Sequence, residues 1–440
     1  MSDIQFAWKR FGLGVHLLAA VMTICAAMAA APRLPAQETE QAGKHAQHYV
    51  VTDVKTLGGN ASALAGGLNN RGWVNGAYYL SGNTIQHAFL WRDGRTRDLG
   101  TLGGPNSSAS FPLNDWGQVT GGSEISAPDP NGESFCSSYL GFPADHLICL
   151  PFIWQNGVMT ALPTLGGNNG NANQINNWGQ IAGNTENTTF DPTCSIPALV
   201  RKPVVWRHGK IERELPIPSG DTDGLATGIN DLGEVIGSSG ICTDINLHGL
   251  LWRNGRFTDL GSLGGSLLTL PQTINNRGQV VGWSSLPGDA IFHAFLWQKG
   301  VMTDLGTLAG DSFSLAFSIN EKGQVVGESC DISFNCRAVI WQNGRITDLN
   351  SLIPAHSPLY LLIAFSSNSW GQIEGIALEK STGELHDFLA TPKDGKEDSD
   401  TFSVEGAISK RPKVVLPENV RKLLQQRRGG RLGVGLMPPQ

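Results

Sequence analysis

Charge is what this chain has least of. Asp, Glu, Lys and Arg make up 16% of its 440 residues, and the formal net charge is −6. That balance offers no positive field to a phosphate backbone and argues against nucleic acid as the partner of the main body. Beyond residue 31 no apolar run is long enough to span a bilayer. The chain also lacks a phosphate loop, a nucleophile elbow and a dinucleotide fingerprint, and no cofactor is expected. Asp221-Thr222-Asp223-Gly224 is too short for a calcium loop. Disorder of the whole is excluded as well, because 12 Trp and 17 Phe supply the material of a core.

Glycine is abundant, with 55 residues, while the 23 prolines are near ordinary usage. Turn-rich, aromatic-rich sequences of this length fit one large repeat assembly or two to three ordinary domains.

Residues 1–36 read as a secretory signal peptide. Lys9 and Arg10 precede an apolar run over residues 11–31, and small residues lead to Ala36 before Gln37. An uncleaved anchor is the alternative, and it would be the chain's membrane contact. Ile24 stands where a lipoprotein needs a small residue before Cys25. Of seven cysteines, six lie beyond this segment, and an even count in an exported chain reads as disulfides.

After a polar linker over residues 37–48, one unit recurs. Residues 274–310 show it best, with INNRGQVVGWSS, HAFLWQKG and VMTDLGTLAG in succession. The motif N-x-x-G-x-[VI]-x-G occurs seven times, its Asn at Asn69, Asn114, Asn176, Asn230, Asn275, Asn320 and Asn368. W-[RQ]-x-G occurs six times, from Trp91, Trp154, Trp206, Trp252, Trp297 and Trp341, with spacings of 63, 52, 46, 45 and 44 residues. In the first motif Asn opens a tight turn and Gly takes its positive φ; in the second, X-Gly is a two-residue hairpin signal. Two hairpins per unit give four strands, a to d, and a period near 45 residues points to propeller blades. A linear β-solenoid is the alternative.

Residues 49–57 match strand d of other units, and the last unit, ending at Leu389, lacks its own d. The expectation is an all-β, seven-bladed propeller over residues 49–392, closed by the N-terminal strand. A d-a-b-c phase, giving seven complete blades without shared closure, stays open. Residues 393–440 carry ten Lys and Arg against six Asp and Glu, and read as a basic, mostly disordered tail. Residues 417–428 form a candidate amphipathic helix with Pro417 at its first position.

The copies HAFLWRDGRTRDLGTLGG (87–104) and INNRGQVVG…HAFLWQKGVMTDLGTLAG resemble the bacterial extracellular HAF (His-Ala-Phe) repeat family over residues 50–391. The resemblance implies export and a repeat architecture, and brings no activity. Units 2, 3 and 6 depart from it, replacing the HAFLW run with PFIW, PVVW and RAVIW.

Strand order puts the a–b and c–d turns on one rim and the b–c loops on the other. From strand b's closing Gly to the Trp of strand c the distances are 15, 33, 23, 15, 15 and 14 residues, so units 2 and 3 carry insertions. All six cysteines fall in b–c connections. Cys136 shares a loop with Cys149, and Cys330 with Cys336, while Cys194 and Cys242 occupy equivalent loops of neighbouring units. Those three pairings are expected; a zinc site is the alternative, without C-x-x-C spacing.

The two long loops gather Glu124, Asp129, Glu133, Asp145, His146, Glu186 and Asp191, from which an enzyme would draw an acid and a base. On the tight-turn rim, Trp116, Trp178 and Trp370 occupy the third turn position, either packing on the next blade or offering a flat face to a sugar ring. His87, His248, His293 and His386 start strand c, and Asp98, Asp259, Asp304 and Asp348 end strand d; both sets read as braces. The function expected is an exported binding scaffold for a glycan or surface protein, with a carbohydrate-cleaving hydrolase or lyase as the alternative.

Overall fold

Turn chemistry sets the architecture. The computed structural model describes residues 47–54, 62–109, 112–194, 197–242, 247–393, 414–418 and 420–421. The expected signal segment and most of the tail lie outside the described residues. In the unit that shows the pattern best, Gly278 closes the a–b turn at φ 70°, and Lys299 and Gly300 share positive φ (52° and 87°) in the c–d turn. Two consecutive left-handed residues match the right-handed twist of the flanking strands, so the chain returns as an antiparallel hairpin.

Seven four-stranded antiparallel sheets result, arranged in a ring as a seven-bladed β-propeller. Blade 1 is Ser62–Leu68, Val74–Tyr79, Gln86–Arg92 and Arg95–Asp98; blade 2 is Ser107–Ser108, Val119–Pro128, Leu147–Gln155 and Val158–Ala161. Blade 3 is Gly170–Ile175, Gln180–Phe190, Leu199–Arg207 and Lys210–Glu214; blade 4 is Asp223–Ile229, Val235–Gly240, His248–Arg253 and Arg256–Asp259. Blade 5 is Thr269–Ile274, Val280–Ser285, Phe292–Gln298 and Val301–Asp304; blade 6 is Phe313–Ile319, Val325–Cys330, Cys336–Gln342 and Arg345–Asp348. Blade 7 takes strands a to c from Leu359–Ser367, Ile373–Glu379 and Leu385–Pro392, and its strand d from Tyr49–Val54.

The closing pair follows the same rule as the others. Asp53 faces Phe388 across it, as Asp98 faces Phe89 and Asp304 faces Phe295 inside blades 1 and 5. The N-terminal strand therefore supplies the missing d in register, which settles the blade phase as a-b-c-d. Closure leaves no outermost sheet edge without its fourth strand.

Hydrophobic burial holds blade to blade. Ile236, Leu251 and Leu260 of blade 4 pack with Ile274, Val280, Phe295 and Trp297 of blade 5 in one cluster. The next seam repeats this with Val281 and Ala294 against Ala316, Val325 and Trp341. The six Trp of W-[RQ]-x-G are all buried. A single blade exposes both apolar faces, so stability comes from stacking around the ring.

The disulfides are Cys136–Cys149, Cys194–Cys242 and Cys330–Cys336, as the loop topology predicts. The first pins an element that the sequence reading did not contain, a short helix over Phe135–Leu140 in the blade 2 insertion. Phe135, Leu140 and Phe142 wrap that disulfide as a separate small core.

Candidate functional site

At the rim of the a–b turns the repeated Asn does two jobs. Its Oδ1 accepts from the backbone N–H groups two and four residues on, as in Asn275 with Arg277 and Gln279 (both 3.1 Å). Its Nδ2 donates to the carbonyl of the equivalent Asn in the next blade. The donors run Asn69 to Asn114, Asn176, Asn230, Asn275, Asn320, Asn368 and back to Asn69, a closed ring of 2.9–3.1 Å bonds. A second chain of bonds lies outside it. Asn70 N–H donates to Asp115, Asp115 to Asn177, Asn177 to Asp231, Asp231 to Asn276 and Asn276 to Glu321, with Ser369 returning to Asn70. These turns surround an axial depression of about 160 Å³ lined by amides, carboxylates and the ends of the a strands.

The third turn positions crown this depression. In ring order from blade 7 they are Trp370, Arg71, Trp116, Trp178, Leu232, Arg277 and Lys322. Trp116, Trp178 and Trp370 are 67%, 66% and 68% exposed. Trp116 Nε1 nevertheless donates to the Asn177 carbonyl, and Trp370 Nε1 to the Asn70 carbonyl, both at 3.0 Å. The indoles of Trp116 and Trp370 are therefore each fixed by the neighbouring blade's turn while their faces stay in solvent. The Arg71 guanidinium lies 5.9 Å from the Trp116 ring centroid and 5.3 Å from that of Trp73.

The acidic residues occupy the opposite face, so the structure does not bring them together with the tryptophans. Within that face it sorts them into two groups. Buried Glu124 accepts from Asn106 Nδ2 at 2.7 Å and shares a hydrogen bond with exposed Asp145. Burial first, and the Asp145 charge second, push Glu124 up to about 7. In blade 3, Glu186 is the structural equivalent of Glu124, and Asn169 that of Asn106. Glu186 accepts from the backbone of Asn169 at 2.9 Å and of Asn168 at 3.2 Å, and pairs with Glu133. Burial and the Glu133 charge raise Glu186 to about 8. Asp129 joins through Asn169 Nδ2 (2.8 Å) and caps Asn131 and Glu133 N–H groups. Asp191, buried in the blade 3 loop, turns inward on Thr193 (2.6 Å to its hydroxyl). His146 Nδ1 lies 2.7 Å from the Gly132 carbonyl, which places the proton on that nitrogen.

The braces are in place too. His87–Asp98, His248–Asp259, His293–Asp304 and His386–Asp53 meet at 2.9–3.2 Å on strands c and d. In blade 6, where Arg replaces His, Arg337 reaches Asp311 at 2.8 Å and Asp348 at 3.7 Å.

No family model and no curated protein matches the chain. Among solved structures it is similar to a Mycobacterium tuberculosis puromycin-hydrolyzing peptidase (10% identity, TM-score 0.45, 78% of this chain and 56% of that one). It is also similar to Aleuria aurantia lectin in complex with alpha-methyl-L-fucoside (11%, 0.34, 79% and 96%). A third is a PL25 ulvan lyase bound to a saccharide (10%, 0.37, 79% and 98%). The chain spans about half the length of the peptidases it matches. Overlaps this loose assign no ligand and no reaction.

Chemically, the acidic face holds carboxyls that bond to each other and to backbone amides. A glycosidase pair instead stands about 5–9.5 Å apart, with the sugar between. The disulfide cysteines near Asp191 and Glu328 hold no thiolate for a metal. Glu379, Glu384 and His386 gather on the exposed b–c hairpin of blade 7, where His386 is already held by Asp53. The turn face differs in kind, because two of its three tryptophans are fixed and, among the described residues, all three indoles stay exposed. The Asn ring itself was missed from the sequence. Its signal was there, since the same Asn recurs even where Gly alone would serve a turn.

Proposed function

We propose that this chain is an exported carbohydrate-binding propeller that receives a sugar on its a–b turn face. The observation that carries the reading is the exposure of Trp116, Trp178 and Trp370, about two thirds of each in water, with the indoles of Trp116 and Trp370 fixed all the same by the next blade's backbone. Packing alone would have buried them. Pre-fixed indoles lose little entropy on binding, and their faces suit the apolar C–H patches of a pyranose. Asp115, Asn177 and Asp231, beside them, offer acceptors and donors for hydroxyls. The axial depression, about 160 Å³, is below the ~300–1,000 Å³ of an enclosing small-molecule pocket, which favours surface recognition over a buried reaction centre.

Three disulfides support an oxidising compartment, and among the described residues no helix is long and apolar enough to cross a membrane. The HAF-repeat resemblance agrees with export. A glycan array probed with the protein lacking residues 1–36 tests the reading. Binding to one sugar class is expected, with Trp116→Ala or Trp178→Ala weakening it by roughly ten-fold, the scale of one aromatic contact. An empty array, or a triple Trp→Ala variant that binds as tightly as the parent, refutes it.

A further inference from the structure

The strongest feature left over lies on the opposite face. Residues 414–418 and 420–421, twenty residues beyond the last strand's surroundings, pack back onto the propeller. Leu416 and Val420 are 1% and 3% exposed, whereas Val415 between Val414 and Leu416 is 74% exposed. Spacing of four residues places both apolar side chains on one side of a helical turn, and Arg421 N–H donates to the Pro417 carbonyl at 3.0 Å to form that turn.

The two side chains complete an apolar cluster built from the axial strands. Leu270 of blade 5, Phe317 of blade 6 and Leu362 and Phe365 of blade 7 belong to it, with Leu247 and Leu268 at its edge. Polar contacts fix the direction of the segment. Leu416 N–H donates to Asn335 Oδ1 at 3.0 Å, and Arg421 Nη1 to the Ser333 carbonyl at 3.3 Å, both in the loop closed by Cys330–Cys336. The Tyr360 hydroxyl bonds the Val414 backbone. Blades 2 and 3 offer nothing comparable, since Ser107, Ser108, Asn171 and Asn173 occupy their a strands.

We propose that this apolar mouth is a peptide-recognition site, and that its resident ligand is the chain's own segment around Leu416, Pro417 and Val420. The mode is an apolar pair four residues apart, set in a groove and headed by proline. The intervening residues 394–413 tether the segment to the last strand and extend to about 70 Å at most. Tethering raises the local concentration to the order of mM, so even a weak site stays filled. The segment covers the axis on the face opposite the a–b turns.

The test uses the full chain and a variant, Leu416→Asp with Val420→Asp, which keeps the segment but removes its anchors. Trypsin cleavage after Arg421 should be at least ten-fold faster in the variant than in the parent. A labelled peptide of residues 411–424 should bind the variant saturably and the parent at least ten-fold more weakly, because the parent's site is occupied. The same peptide carrying both Asp substitutions should bind neither. Equal cleavage of the two proteins, or a peptide that binds neither or both alike, overturns the proposal. So does a parent protein that runs as a dimer, dissociated by the double substitution, which would place the segment in a second copy.

Discussion

Single residues in this molecule take their meaning from neighbours that sequence distance hides. That Asn275 opens a turn is legible from Asn-x-x-Gly. Its bond to Asn320, 45 residues away, depends on how blades sit side by side. The same holds for Glu186, whose partner Glu133 belongs to another blade's loop. Sequence reading grouped both acids as candidates, but not as a proton-sharing pair. That pairing has a consequence for stability. The usual value for such a carboxyl is 4.5, and the folded protein holds Glu186 near 8 and Glu124 near 7. Between those limits the native state binds protons that the unfolded chain releases, so stability falls as pH rises. The contribution is complete below about pH 4.5 and is lost as pH passes through 7 and 8. Melting temperature should therefore decline from pH 5 to pH 9. Glu186→Gln, which mimics the protonated carboxyl, should flatten that decline. An unchanged slope in the variant would show that the pair does not titrate in this range.

Elements were read best where one local rule sufficed. Each X-Gly turn of the c–d hairpins has two left-handed residues, as hairpin chemistry requires. The b–c loops were located correctly, and so were the cysteine pairs, because two pairs each share a loop and the third spans equivalent loops of neighbouring blades. The helix over Phe135–Leu140 was not legible. Six residues carry no helical period, and its C-cap at Gly141 forms against a core that exists only once Cys136 meets Cys149. The disulfides do different work. Cys194–Cys242 joins two blades across 48 residues, and Cys330–Cys336 tightens a hairpin across 6. Loop-closure entropy predicts a loss of about 4 kcal/mol on removing the first and about 2 kcal/mol for the second. Denaturant unfolding of Cys194→Ser/Cys242→Ser and Cys330→Ser/Cys336→Ser should show that order. The reverse order would mean that local geometry, not chain constraint, governs these bridges. The second pair of substitutions should also loosen the segment around Leu416, since Ser333 and Asn335 sit in that loop.

For the molecule as a whole, the decisive contact is the one between the first and last strands of the propeller. Blade number and closure were readable because a surplus strand d precedes the repeats and a missing one follows them. What the sequence left open, the phase, is settled by Asp53 facing Phe388. A ring differs from a linear array in what one broken seam does. In an open stack the terminal repeat can fray while the rest persists. In a closed ring, every blade packs on two others, so losing the seam exposes apolar surface on both sides of the gap. Val54, fully buried in the closing strand, makes this measurable. Val54→Asp places an unpaired carboxylate among Leu68, Tyr78 and Phe89, at a loss on the order of 3–5 kcal/mol. Val301→Asp, also on a strand d but 63% exposed, should change little and serves as the control. If closure governs the fold, Val54→Asp shifts one cooperative transition for the whole propeller, seen alike by Trp fluorescence and by far-ultraviolet dichroism. Two separated transitions, with blade 7 lost first and the other six persisting, would instead make this protein a stack of blades that merely happens to meet itself.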